Sequence, residues 1–178
     1  MKENLKKCID MIYKNKNYEY FLNKSKCKLT FISSLIVSAQ SYCRNIEYFE
    51  EGINPSLEIY FYYDLFGEGE LEIEYVTLLK ISKVANLYSF EHEFCINNPD
   101  PNRMTPVLDG FGDQAYTQTQ KELEDLVSKI LQDNGFNKIL LSELDEVVCE
   151  IELPDNNIFG SQLTVENALF RDLFNICE

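Results

Sequence analysis

The feature that most constrains this chain is a run in which apolar residues recur at every second position. In "LEIYFYYDL", Leu57, Ile59, Phe61 and Tyr63 fall on one side, and Glu58, Tyr60, Tyr62 and Asp64 on the other. Successive side chains of a strand point to opposite faces, so this pattern predicts a strand with one apolar face. "FGEGE" supplies a glycine turn. "LEIEYVTLLKI" then alternates again, Leu71, Ile73, Tyr75, Thr77 and Leu79 against Glu70, Glu72, Glu74, Val76 and Leu78. Two such runs joined by a Gly-containing turn predict a hairpin. A third strand is predicted over 84–96, with Val84, Tyr88, Phe90, His92, Phe94 and Ile96 on one face. The product is a three-stranded antiparallel meander over 57–96. Its outer face carries Glu58, Asp64, Glu70, Glu72, Glu74, Glu91 and Glu93, with Tyr60 and Tyr62 among them.

The segments around the meander have a helical period. Over 3–22, Leu5, Ile9, Ile12, Tyr13, Lys16 and Tyr20 share one side and lysines fill the other, predicting a basic amphipathic helix. A second helix is predicted over 29–46, from Leu29, Ile32, Leu35, Ala39, Tyr42 and Ile46, ended by "EEGINPS". In "TQTQKELEDLVSKILQDNGF" a helix is expected at about 119–134. Thr119 and Glu122 form a capping-box pattern and Gly135 suits the residue beyond the C-cap. "EVVCEIEL" reads as an edge strand near 147–153. The last helix starts at Thr164 as N-cap, with Val165, Ala168, Leu169, Leu173 and Ile176 as its apolar stripe. The predicted fold class is α+β. An antiparallel sheet of three to five strands packs with two N-terminal helices, the 119–134 helix and a C-terminal helix, in one domain over 1–178.

Charge divides this domain. The net charge is −14, yet the first fifty residues hold nine Lys/Arg against five Asp/Glu, while residues 51–178 hold seven against twenty-five. A basic helical segment over 1–50 is therefore expected to pack on an acidic body over 51–178. Such a body repels nucleic acid and anionic lipid and favours cationic partners. The six cysteines are scattered, with no C-x-x-C, the first fifteen residues are charged, and the longest apolar run is too short to span a bilayer. A reduced, cytoplasmic protein without a membrane or nucleic-acid partner is expected.

Known chemistries find little support. With His92 as the only histidine, a zinc site with two His is excluded, and the phase of His92 with Phe90 and Phe94 places it inside the sheet. No phosphate-cradling glycine motif is present, and no cofactor is expected. "DPNRMTPVLDGF" and "DGFGDQAY" both fail the EF-hand pattern, although glycines Gly110 and Gly112, read as turn residues with positive φ, could bring Asp109 and Asp113 together. The Lys/Asn/Ile-rich composition suggests an AT-rich genome, which hints at a bacterial source.

What remains is an acidic surface interleaved with tyrosine, beside the long irregular stretch "NNPDPNRMTPVLDGFGDQAYTQ" over 97–118. Loops of this length are uncommon in compact domains. Acidic groups steer a basic partner and aromatic groups anchor it. The physical type is that of small acidic bacterial immunity proteins, which mask the cationic groove of a nuclease toxin, although no family motif is present. The expected function is thus a non-enzymatic immunity or inhibitor protein for a basic protein partner. Contact residues are expected at Tyr60, Tyr62, Glu70, Glu72, Glu74, Asp109, Phe111, Asp113 and Tyr116. Two alternatives are an enzyme or cation-binding protein using carboxylates of the 97–118 loop, and a scaffold that homodimerises through the tyrosine-bearing sheet face.

Overall fold

The structure is a computed structural model that describes residues 2–49, 52–67, 71–97, 102, 108–152 and 162–177. It is α+β. The sheet runs β1 (Asn45–Tyr48), β2 (Ser56–Tyr62), β3 (Glu72–Ser82), β4 (Leu87–Asn97) and β5 (Leu108–Gly112), each antiparallel to the next. A two-residue strand, β6 (Asn137–Lys138), adds to β4 in parallel. The strands of the meander are in the predicted register of faces, but Asp64, expected on the outer face, lies beyond the end of β2 and is turned towards Tyr63 and Tyr75. Leu57, Ile59, Phe61, Thr77, Leu79, Ile81, Tyr88, Phe90 and His92 point inward and are buried.

That inner face is covered by α3 (Ile32–Ala39) and α4 (Gln118–Asp133), whose Leu35, Leu123, Val127 and Leu131 complete one apolar core. A second core lies at the β3–β4 turn, towards the outer face. There α1 (Glu3–Ile9) and α2 (Tyr18–Ser25) meet α5 (Leu141–Leu144), β7 (Val147–Glu152), β8 (Gln162–Thr164) and α6 (Val165–Phe170). Ile9, Ile12, Phe21, Val84, Leu163 and Leu169 fill it. The Tyr13 hydroxyl donates to the Ala168 carbonyl at 2.7 Å, tying the two ends of the chain. The basic segment also meets the acidic body by charge, Lys2 to Glu143 at 2.9 Å and Lys14 to Glu150 at 2.6 Å.

Several elements differ from the expectation. The 3–22 helix is broken: a π-helical turn spans Asp10–Lys14, and Lys16 adopts φ 54° before α2 begins. The Asn17 side chain accepts the Tyr20 amide and caps α2, and this local bonding of Asn outcompetes the helix. The second helix is shorter than 29–46 and ends at Ala39, because residues 45–48 leave it to pair with β2 as β1. The capping residue of α4 is Thr117 rather than Thr119. Its hydroxyl accepts the Gln120 amide at 3.1 Å, and the Gln120 side chain returns to the Thr117 amide at 3.1 Å. Gly135, at φ 82°, sits beyond the C-cap as expected. The strand expected near 147–153 forms over 147–152. It pairs with β8 in a separate two-stranded sheet, and β1 and β5 hold the sheet edges. Residue 153 lies outside the described residues.

The 97–118 stretch is not wholly irregular. Residues 98–101 and 103–107 lie outside the described residues, but 108–112 form β5. Gly110 and Gly112 are strand residues there, not positive-φ turn residues. A Cβ on Gly110 would come 2.5 Å from Cε1 of Phe94, so glycine lets β5 close onto β4 over that ring.

Candidate functional site

Antiparallel partners directly opposite one another project from the same face. The register therefore sets out the outer face in rows. Asn45, Tyr62, Val76, Glu93 and Phe111 form one row, Glu47, Tyr60, Leu78 and Glu91 a second, and Glu74, Cys95 and Asp109 a third. One end of this face is covered. Ser82 and Ser56 donate hydroxyl bonds to the Leu169 and Phe170 carbonyls at 2.6 and 2.7 Å, and Lys80 meets Glu166 at 2.9 Å, which seats α6 on the sheet. Among the described residues the other end is uncovered. Glu74, Glu91, Glu93, Asp109 and Phe111 surround a depression of about 350 Å³. Phe111 stands at its rim with 72% of its surface exposed, an apolar group that the described residues leave largely uncovered.

The electrostatics of this face are lopsided. Lys80 is half-covered and is held by Glu166 at 2.9 Å and Glu91 at 3.5 Å. Burial by itself would lower the Lys80 ammonium, but Glu166, Glu91 and Glu58 outweigh it and hold it above its ordinary value. Arg44 reaches Glu74 at 2.9 Å from the β1 side. Partial burial, and then the like charge of Glu91, push the Glu93 carboxyl above the usual range. Burial, and then Glu58 and Glu47 respectively, raise the phenols of Tyr60 and Tyr62. Those two rings stack with centroids 6.4 Å apart, and their hydroxyls donate to Glu58 at 3.2 Å and Glu47 at 3.4 Å. The phenols therefore stay neutral and act as donors and apolar platforms.

The structure brings Tyr60, Tyr62, Glu72, Glu74, Asp109 and Phe111 to one face. Glu70 lies outside the described residues. Two expected contact residues lie off this face, with Tyr116 still at an exposed position. The Asp113 carboxylate accepts the Leu141 amide at 2.8 Å, so it anchors α5 to the end of β5. Tyr116 sits edge-on to Phe94 at 4.8 Å, against a ring that shares the inward face with Phe90 and His92. Asp109 and Asp113 thus sit in different surroundings. Among the described residues, no group of three or more His, Cys, Asp or Glu is placed to hold a metal ion, and no helix is long and apolar enough to cross a membrane. Glu91 and Glu93 were legible as outer-face positions from the alternation, but only the β4–β5 pairing sets them beside Asp109 and Phe111.

His92 is fully buried. With its proton on Nε2 it donates to Glu124 at 3.3 Å. Nδ1 then accepts from the Thr77 hydroxyl at 2.9 Å, and Thr77 accepts from Tyr63 at 2.9 Å. Lys138 closes the chain on the other Glu124 oxygen at 2.7 Å. The order hydroxyl, imidazole, carboxylate has the form of a nucleophile triad. Here, however, Thr77 is fully buried and its oxygen is bonded to Tyr63, so the chain joins sheet to helix. Comparison with protein-family models, with curated proteins and with solved structures finds no match, so the chemistry of the site carries the functional reading.

Proposed function

We propose that this protein binds a cationic protein partner across the open end of its outer sheet face, as an inhibitor that masks a basic groove. The most concrete form of that reading is a bacterial immunity protein for a nuclease toxin, whose phosphate-binding groove the carboxylates would occupy. One observation carries it: a depression rimmed by Glu74, Glu91, Glu93 and Asp109 with an exposed Phe111 beside it. Carboxylates steer and register a basic surface, and a rigid aromatic group supplies the anchor. Self-association through the same face would bring like charges together, which favours a partner of opposite sign over a second copy.

The test separates this face from net charge. Triple reversal Glu74→Lys, Glu93→Lys and Asp109→Lys is compared with reversal of three acids on the exposed side of α4, Glu122→Lys, Asp125→Lys and Asp133→Lys. Both sets change the net charge equally. The first is expected to weaken capture of a basic protein at low salt by at least about tenfold, and the second by about threefold or less. Equal loss in the two sets, or loss in neither, overturns the proposal.

A further inference from the structure

A second cavity opens on the opposite side of the sheet, between the end of α3 and the head of α4. Its volume is about 390 Å³, and Tyr42, Tyr63, Phe66 and Tyr75 line it together with Asp64 and Thr119. Four aromatic residues therefore line one opening, with a single carboxylate among them. The sequence dictates it in part. Tyr63, just beyond the end of β2, and Tyr75 of β3 continue the inward-facing alternation and are joined by a backbone bond of 3.2 Å. Phe66 is fixed beside them by two backbone bonds to Ile73, at 3.0 and 2.7 Å.

The lining decides what would fit. The Tyr63 hydroxyl is engaged by Thr77, so that residue offers the cavity its ring rather than its polar end. The capping box of Thr117 and Gln120 satisfies amides at the head of α4, so that end is not an open anion site. Among the described residues no lining group is basic, and Asp64 supplies negative charge. The faces of aromatic rings attract cations, most effectively cations that shed water readily. A bare ammonium ion holds its hydration too strongly, whereas a methylated ammonium is bulky, weakly hydrated and still charged. The net charge of −14 adds long-range attraction for it.

We infer that this cavity is a binding site for a methylated ammonium head group. The head sits among the four rings and Asp64 lies beside it. Both a trimethyl-lysine side chain and a small free quaternary amine carry that group.

NMR titrations of the full chain, following the ring resonances of Tyr42, Tyr63 and Tyr75, test this with three probes. They are choline, a short peptide containing trimethyl-lysine, and dimethylbutanol, the neutral tert-butyl isostere of choline. Choline or the peptide is expected to bind with Kd of about 1 mM or tighter, and the isostere at least about tenfold more weakly. Tighter binding of the peptide assigns the source to a modified side chain, and tighter binding of choline to a free amine. Phe66→Leu and Asp64→Asn, both at exposed positions, are each expected to weaken the better probe about threefold to tenfold. Absence of saturation by either cation at about 10 mM overturns the inference. So does equal binding of the isostere, which would show simple apolar burial.

Discussion

Glu124 shows how much one residue can depend on its neighbours. Its side chain is almost wholly buried, and burial alone would raise its carboxyl. The hydrogen bonds from His92 and Lys138, followed by the charges of Lys138 and Lys121, reverse that and lower the pKa from 4.5 to about 2. A carboxyl whose folded pKa is depressed stabilises the fold above its unfolded pKa and loses that contribution as pH falls towards the folded value. The stabilisation is therefore complete above about pH 4.5 and disappears towards pH 2, with a magnitude of about 3 kcal/mol. Glu124→Gln is expected to destabilise the protein at neutral pH by about 2–3 kcal/mol and to flatten the acid limb of its stability curve. Denaturant unfolding at pH 7 and pH 3 checks this. A variant with the wild-type pH slope would show that the carboxylate is not ionised in the fold. The inward place of His92 was legible from its phase with Phe90 and Phe94. Its partner was not, because Glu124 lies one position from Leu123 at the flank of the apolar stripe, and only tertiary packing decides which way a flanking residue turns.

Among the elements, those with long uninterrupted periodicity were legible and the short ones were not. The faces of β2, β3 and β4 followed from alternation over seven to eleven residues. In "LDGFG" two glycines erase the pattern, and β5 owes its strand state to the ladder with β4. Ile46 happened to continue the period of the second helix, which hid β1. The start of α4 was misplaced by two residues because Thr117 and Thr119 each stand three residues before a side chain able to return the cap, Gln120 and Glu122. This yields a direct comparison. Thr117→Ala is expected to cost about 1 kcal/mol and Thr119→Ala much less, measured by thermal unfolding. Equal effects would move the cap back to the position suggested by sequence. The candidate site was legible to the same extent as its strands. Tyr60, Tyr62, Glu72 and Glu74 lie where alternation puts them, whereas Asp113 and Tyr116 follow β5, where no period shows which neighbour each side chain meets.

At the scale of the whole molecule, two cores share one sheet. The first thirty residues and the last described helix meet in the core beside the β3–β4 turn, while α3 and α4 cover the inner face at the other. The basic segment and the acidic body do attract across this arrangement. The pairs concerned are largely exposed, so the apolar contacts of Ile9, Ile12 and Phe21 hold the segment in place. Because α6 is seated on one end of the outer face, the depression beside β5 lies at the end that the described residues leave uncovered.

That open end has a consequence for how binding would respond to acidity. Glu91 and Glu93 stand two positions apart on the same face of one strand, and the ladder prevents them from separating. Partial burial, and then this like charge, let Glu93 keep its proton to a higher pH than a carboxyl in water does. A lysine or arginine delivered by a partner would take that proton's place. Association is thus expected to release protons to the buffer at pH values just above the ordinary carboxylate range, and to tighten as pH rises there. Calorimetry of the complex in buffers of different ionisation enthalpy would detect the release as a buffer-dependent heat, and Glu93→Gln is expected to abolish it. A heat independent of buffer would mean that the partner leaves this strand untouched. A buffer-dependent heat would make the sheet a proton store that a cation empties.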